Sequence, residues 1–197
     1  MPLGANKAAI MGVAGTSAAA DVVLLNDGAF SNQTTVSFTS ELTSTYKEYI
    51  FAFYSINPAT DNAVLQFNLS DDTSSHSYDL TKTSTVIQAE LQEDHSSPFI
   101  KIMGGLDLAN ATGIQKLTEE IGNGADEAAA GFLQLFNPAD TTYATHWMST
   151  ITYYWAANGS FTTRTTGYAN VTAAVTAIQF SMSSGNFDGE IKLWGVK

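Results

Sequence analysis

The sequence predicts an all-β fold: a single-domain antiparallel β-sandwich, jelly-roll-like, over residues 21–197, with an extended N-terminal arm over residues 1–20. Apolar and polar residues alternate with a period of two in many segments after Asp21, as expected of half-buried strands. Ser and Thr make up 42 of the 197 residues, and both suit the solvent face of strands and the turns between them. An α/β nucleotide-binding fold is disfavoured because the segments between the strands lack long helical patterns.

The alternation is clearest in three segments, Leu65–Leu69, Trp147–Trp155 and Ile178–Met182. The run Tyr49–Tyr54 is apolar at both odd and even positions, which predicts a central strand covered on both faces. The pair Asn158-Gly159 predicts a hairpin turn, because both residues tolerate a positive φ. Further strands are predicted over residues 21–26, 34–39, 84–91, 99–103, 131–136, 161–168 and 190–196.

The segment 112–122 is compatible with two structures. Ile114, Leu117 and Ile121 recur at helical spacing, and the Gly residues that follow are typical of a helix end. The same residues also fit a strand that leads into a Gly-rich loop. The sequence does not decide between a helix and a strand for this segment.

The charge of the chain disfavours nucleic acid as a partner. The formal net charge is −11, and Arg164 is the only arginine. Phosphate recognition depends on clustered Lys and Arg, so such a chain repels a polyphosphate. Without cysteine there is neither a disulfide framework nor thiolate metal ligation. The first residues do not resemble a secretory signal and no apolar run is long enough to span a membrane, so we expect the chain in the cytosol unless it leaves within a larger assembly.

No group of residues predicts catalysis, a cofactor or a metal. The nucleophile motif Gly-x-Ser-x-Gly is absent, and His95 lies in a polar segment that is typical of a solvated loop. The acidic segment 71–79 has irregular spacing and no Gly, which disfavours a calcium loop. The carboxylates of a glycosidase cannot be paired from the sequence. We therefore expect a protein that is not an enzyme.

Two sets of residues are candidate contact sites. The arm could be a frayed terminus or a docking element. After Met1 it contains four larger apolar residues among Gly and Ala, and we expect these to dock on a neighbouring protein: Leu3, Ile10, Met11 and Val13. Adjacent residues of a strand point to opposite faces, so one of Tyr153 and Tyr154 points outward. Tyr154, together with Tyr168 near a strand end, is a candidate contact for a glycan.

Three segments resemble those of virion structural proteins of tailed bacteriophages, notably marine and cyanobacterial phages. They are the opening Pro2–Lys7, the residues Tyr46–Phe51 with Asn57–Asn62, and the ending Ala177–Asn186 with Gly189–Val196. The closing strand is also similar to the last strand of discoidin-like carbohydrate-binding sandwiches. The phage resemblance implies a β-sandwich subunit of the capsid surface or the tail, repeated by symmetry.

The function that we expect is therefore that of a virion structural protein, either a capsid cement or decoration subunit or a tail or fibre component. Its partners would be other virion proteins and further copies of itself, with a trimer among the candidate assemblies. The alternative is an adhesin on the phage particle that binds a host-surface glycan through aromatic side chains. A glycan-degrading enzyme is the third and weakest hypothesis.

Overall fold

A computed structural model describes residues 21–96 and 98–197; the predicted arm, residues 1–20, lies outside the described residues. The described part is all-β and forms two antiparallel sheets, as predicted. The strands are β1 Val22–Gln33, β2 Thr35–Phe38, β3 Glu48–Pro58, β4 Leu65–Ser70, β5 Lys82–Gln92, β6 Phe99–Ile102, β7 Gln115–Lys116, β8 Ala129–Phe136, β9 His146–Trp155, β10 Gly159–Ala169, β11 Ala177–Met182 and β12 Phe187–Val196.

The two sheets differ in size. The larger has eight strands in the order β1-β12-β3-β8-β9-β10-β5-β6, and the smaller has four in the order β2-β11-β4-β7. Eight of the strands pair in a nested way: β1 with β12, β2 with β11, β3 with β8 and β4 with β7. The pairs β5–β6 and β9–β10 are additions that widen the larger sheet only.

Aromatic rings fill the space between the sheets. Phe180 of β11 is fully buried and contacts the rings of Phe51 and Phe53, with centroids 5.3 and 5.1 Å apart. Phe38 and Phe67 complete this cluster. The odd and even positions of β11 therefore separate into a buried apolar row and a polar row, as the period of two predicts.

The segment 112–122 forms strand structure rather than a helix. Gln115–Lys116 pairs with β4, and Ile121 makes isolated bridges to Ala63 and Trp155. Leu117 and Ile121 are buried in the core, whereas Ile114 is exposed. The edge of the smaller sheet supplies backbone partners to this segment, which an isolated helix would not use.

The prediction that Tyr49–Tyr54 is covered on both faces is wrong. Tyr49, Phe51 and Phe53 are buried against the smaller sheet, but Ile50 is only half-buried and Tyr54 is exposed. The reason is that the smaller sheet packs on one face of the larger sheet, and no described strand covers the other face. The second apolar row of this strand therefore lies on the opposite, outer face.

Candidate functional site

The outer face of the eight-stranded sheet is the most unusual surface of the described chain, and we call it the open face. The strand register places Trp194, Ile50 and Met148 on it, all half-buried. Ten large hydrophobic side chains are exposed in the described residues, and the register places eight of them on the open face: Val22, Leu24, Tyr54, Ile87, Leu91, Ile100, Ile102 and Phe132. Ile114 and Tyr143 are the other two.

Four of these residues form an aliphatic patch at the β5–β6 end of the open face. Ile87 lies directly opposite Ile102, and Ile100 lies opposite Ala89. Leu91 is two residues beyond Ala89 on the same face of β5. Ile100 and Ile102 are 77% and 72% exposed, the highest values of any large aliphatic side chain in the described residues. The patch is therefore a raised aliphatic surface on an edge strand.

A groove lies between β3 and β8 on the same face. Small residues, Ala52 and Ala130, form its floor, and Ile50, Tyr54 and Phe132 form its walls, around a cavity volume of about 480 Å³. The patch and the groove belong to one apolar surface: the patch projects from it and the groove is recessed into it.

Gly131 allows β8 to approach β9 closely beneath this groove. Its φ is 155°, and a Cβ atom there would lie 2.2 Å from the carbonyl oxygen of Thr150. A larger residue would push the two strands apart. The groove therefore depends on a glycine at this position.

Charged side chains are few on the open face and lie mainly towards the β1–β12 end. Lys192 binds Asp27 at 2.9 Å and Glu190 at 3.1 Å. The hydrogen bond from Lys192 to Asp27 lowers the pKa of Asp27 and raises that of Lys192. Arg164, at the centre of the face on β10, is exposed and forms no ion pair with a described residue.

Tyr154 lies on the open face, while its neighbour Tyr153 is buried, as the alternation predicts. Its hydroxyl donates to Glu93 Oε1 at 3.0 Å and lies 3.1 Å from Asn158 Oδ1, and the hydrogen bond to Glu93 raises the pKa of Tyr154. Together with Asp126 it lines a depression of about 360 Å³. An aromatic ring beside two carboxylates and several hydroxyls is chemically suited to a sugar.

Tyr168 lies at the opposite end of the same hairpin. Its ring packs against His146 at 5.7 Å and lines a second depression, of about 410 Å³. Tyr168 pairs with His146, which is eight residues from Tyr154 along β9. At about 3.4 Å per residue the two tyrosines are roughly 27 Å apart, so the structure does not bring them into one site.

The remaining candidates fall into two groups. Leu3, Ile10, Met11 and Val13 lie outside the described residues. In the segment 71–79, Asp72 accepts hydrogen bonds from the backbone N–H of Ser77 at 2.8 Å and from its hydroxyl, and these lower the pKa of Asp72. Residues 21–96 and 98–197 contain no group of three or more His, Asp or Glu placed to hold a metal ion.

The patch and the groove were missed in the sequence, although a signal for them exists. Val86 and Ile87 are adjacent apolar residues in one strand, so one of them has to face outward. Ile100 and Ile102 alternate with Lys101, which marks an apolar row in a short edge strand. The sequence does not indicate which of the two apolar rows of a strand is covered by the second sheet.

Three comparisons were made, with protein-family models, with curated protein sequences and with solved structures, and none of them found a match. No helix in the described part of the chain is long and apolar enough to cross a membrane. The residues themselves thus define the class of the site: a broad apolar surface suited to contact with another macromolecule.

Proposed function

We propose that this chain is a virion structural protein of a tailed phage, a capsid cement or decoration subunit or a tail or fibre component. It acts through contacts with other virion proteins and is assembled into particles in the host cytoplasm. The observation that carries the proposal is the clustering of eight of the ten exposed large hydrophobic residues on the open face. Monomeric soluble proteins seldom expose contiguous apolar patches of more than a few hundred Å².

The strand order supports a jelly roll as the underlying fold. The nested pairs β1–β12, β2–β11, β3–β8 and β4–β7 place four strands in each sheet, which is the arrangement of two Greek keys. The strands β5, β6, β9 and β10 are then insertions. Jelly rolls are frequent among capsid and lectin domains, although a fold alone does not define a function.

The arm remains part of the proposal as a second contact element. It reaches the sandwich at Asp21, whose carbonyl oxygen accepts a hydrogen bond from the N–H of Lys197 at 2.9 Å. Val22 directly afterwards is an exposed residue of the open face. The arm thus joins the domain beside the surface that we propose for docking.

The docking role is tested by placing a charge on the open face. We expect Ile102→Asp to lower the number of copies per particle at least about tenfold, because a buried unpaired carboxylate opposes association. Ile102 is 72% exposed, so the variant should fold with an unchanged melting temperature. The measurement is quantitative mass spectrometry of particles assembled with the variant.

Ile114→Asp is the matched control, since Ile114 is exposed but lies outside the open face. It should incorporate normally. A chain without residues 2–18, measured in the same assay, tests the arm and should also fail to incorporate. Equal incorporation of Ile102→Asp and the wild type would contradict the docking role of the face.

The second candidate function is a host-glycan adhesin, which the depression around Tyr154 favours. We expect saturable heat release in isothermal titration calorimetry on titration with host polysaccharide, because the ring of Tyr154 lines a depression beside Glu93 and Asp126. Tyr154→Ala should raise the half-saturation concentration at least about tenfold by loss of the stacking surface. Tyr143→Ala, at an exposed tyrosine away from the depression, is the control. No saturable signal from the wild type would reject this candidate.

A further inference from the structure

We infer that the partner on the open face is a second copy of this chain, and that two copies pack face to face so that the aliphatic patch of each fills the groove of the other. The inference rests on the proposed docking role of the open face and names its occupant. Three features support it: the relief of the face, the spacing of patch and groove, and the distribution of charge.

The relief of the face is self-complementary. Ile100 and Ile102 project from the edge strand β6, whereas Ala52 and Ala130 leave a groove between β3 and β8. Counted in the order β3-β8-β9-β10-β5-β6, the groove lies between the first two strands and the patch between the last two. At about 4.8 Å per strand, they are roughly 19 Å apart and equidistant from the β9–β10 junction.

This symmetry fixes the geometry of the pair. A two-fold axis that runs parallel to the strands, between β9 and β10, places the patch of each copy on the groove of the other. This reciprocal arrangement is what an isologous contact requires. The register places Ile102 and Ala52 in one row across the sheet, and Ile100 and Ala130 in the next. Ile102 of one copy therefore faces Ala52 of the other, a large residue against a small one, and Ile87 faces Phe132 in an apolar contact beside it.

The charges permit this contact in a strongly acidic chain. The six overlapping strands carry Glu48 and Arg164 as the charged residues on the open face. The cluster of Asp27, Lys192 and Glu190 lies on β1 and β12, beyond the overlap, and stays in solvent. Over the rows of Ile102 and Ile100 the two copies, each with a net charge of −11, thus meet without a carboxylate. Glu93 and Asp126, which flank Tyr154, lie at one end of the contact.

The overlap is large enough for a stable contact. Four strands of about eight residues, and a strip of four residues at each edge where β6 lies on β3, give roughly 650 Å² per copy at about 4.8 Å by 3.4 Å per residue, which is within the range of standard interfaces. Arg164 lies beside the axis in both copies, and the repulsion between the two guanidinium groups limits the affinity. We expect Arg164→Thr to lower the dissociation constant of the dimer severalfold.

The experiment uses the full chain and its lack of cysteine. Analytical ultracentrifugation should detect a species of twice 21.0 kDa, and Ile102→Asp should raise its dissociation constant at least about tenfold. A mixture of Ile102→Cys and Ala52→Cys, treated with a short bismaleimide, should give a covalent heterodimer. Ile102→Cys alone should not, because the two copies of residue 102 are about 24 Å apart across five strand spacings.

A mixture of Ile114→Cys and Ala52→Cys is the matched control and should remain uncrosslinked. A chain that stays monomeric at all concentrations overturns the inference, and so does a dimer without the cross-link between positions 102 and 52. Particle incorporation separates this result from the proposed function. If the wild type is monomeric but still needs Ile102 for incorporation, the docking role of the open face stands and the dimer is rejected. If the wild type is a dimer and its Ile102→Asp variant incorporates normally, the dimer stands and the docking role in the particle is rejected.

Discussion

Phe180→Ala is expected to lower the free energy of unfolding by about 3–5 kcal/mol, the usual cost of removing a buried aromatic side chain. Phe180 is fully buried and contacts the rings of Phe38, Phe51, Phe53 and Phe67, which come from both sheets. Its loss leaves a cavity that the surrounding strands cannot close, because each is fixed by its ladder. A typical domain is stable by only about 5–15 kcal/mol, so the change is a large fraction of the total.

Urea denaturation followed by circular dichroism measures this effect. Tyr143→Ala is the matched control, because Tyr143 is 74% exposed outside the open face and its removal leaves no enclosed cavity. We expect the control to lose less than about 1 kcal/mol, as surface substitutions usually do. Similar losses in the two variants would mean that the aromatic cluster is not the centre of the core.

The second large effect is an increase in stability with pH that comes from Lys82. Lys82 is fully buried and donates hydrogen bonds to Asn68 Oδ1 and to the carbonyl oxygen of Leu80. Burial lowers the pKa of Lys82 from 10.5 to about 8, and the charge of Asp79 opposes this only partly. A buried ammonium group without a contacting carboxylate is costly, and loss of its proton relieves that cost.

The sign follows from the two pKa values. Below pH 8 both the folded and the unfolded chain bind the proton, so the cost of the buried charge is present in full. Between about pH 8 and 10.5 the unfolded chain binds more protons than the folded one, so stability rises with pH. From about pH 7.5 to 9.5 we expect the free energy of unfolding to rise by roughly 2 kcal/mol.

Chemical denaturation at a series of pH values checks this, with two variants. Lys82→Met should abolish the rise, whatever its effect on stability at neutral pH, and Lys47→Met, at an exposed lysine, should keep it. The window ends near pH 10, because Tyr153, whose pKa burial raises to about 12, lowers stability above that point as the unfolded tyrosine ionises first. A flat wild-type profile would contradict the assignment to Lys82.

The buried polar groups could not be predicted from the alternation of apolar and polar residues in the sequence. Gln88, Thr163 and Tyr153 face the interior, where Gln88 Nε2 donates to Tyr153 Oη at 3.1 Å and Tyr153 shares a hydrogen bond of 3.2 Å with Thr163. In the sequence, Thr163 is one of several similar threonines. Its burial is stabilised by partners from other strands, and such partners are known only once the strands are placed.

The open face illustrates the same limit for function. Alternation indicated which residues share a face, and it placed Tyr153 and Tyr154 on opposite faces correctly. It did not indicate that the smaller sheet packs on the other side, so that no described strand covers the face with Ile87, Ile102 and Phe132. The candidate contact residues Tyr154 and Tyr168 were found one by one, and the structure puts them at two ends of one surface.

The sequence by itself determined the all-β class, the positions of most strands and the turn at Asn158, because these depend on side-chain alternation and local backbone preference. Only the tertiary structure decided that the layers contain eight and four strands, that 115–116 is a strand, and that the second row of β3 is exposed. These outcomes depend on contacts between residues far apart in the chain, and a local pattern of apolar residues is the same whether or not a distant strand covers it.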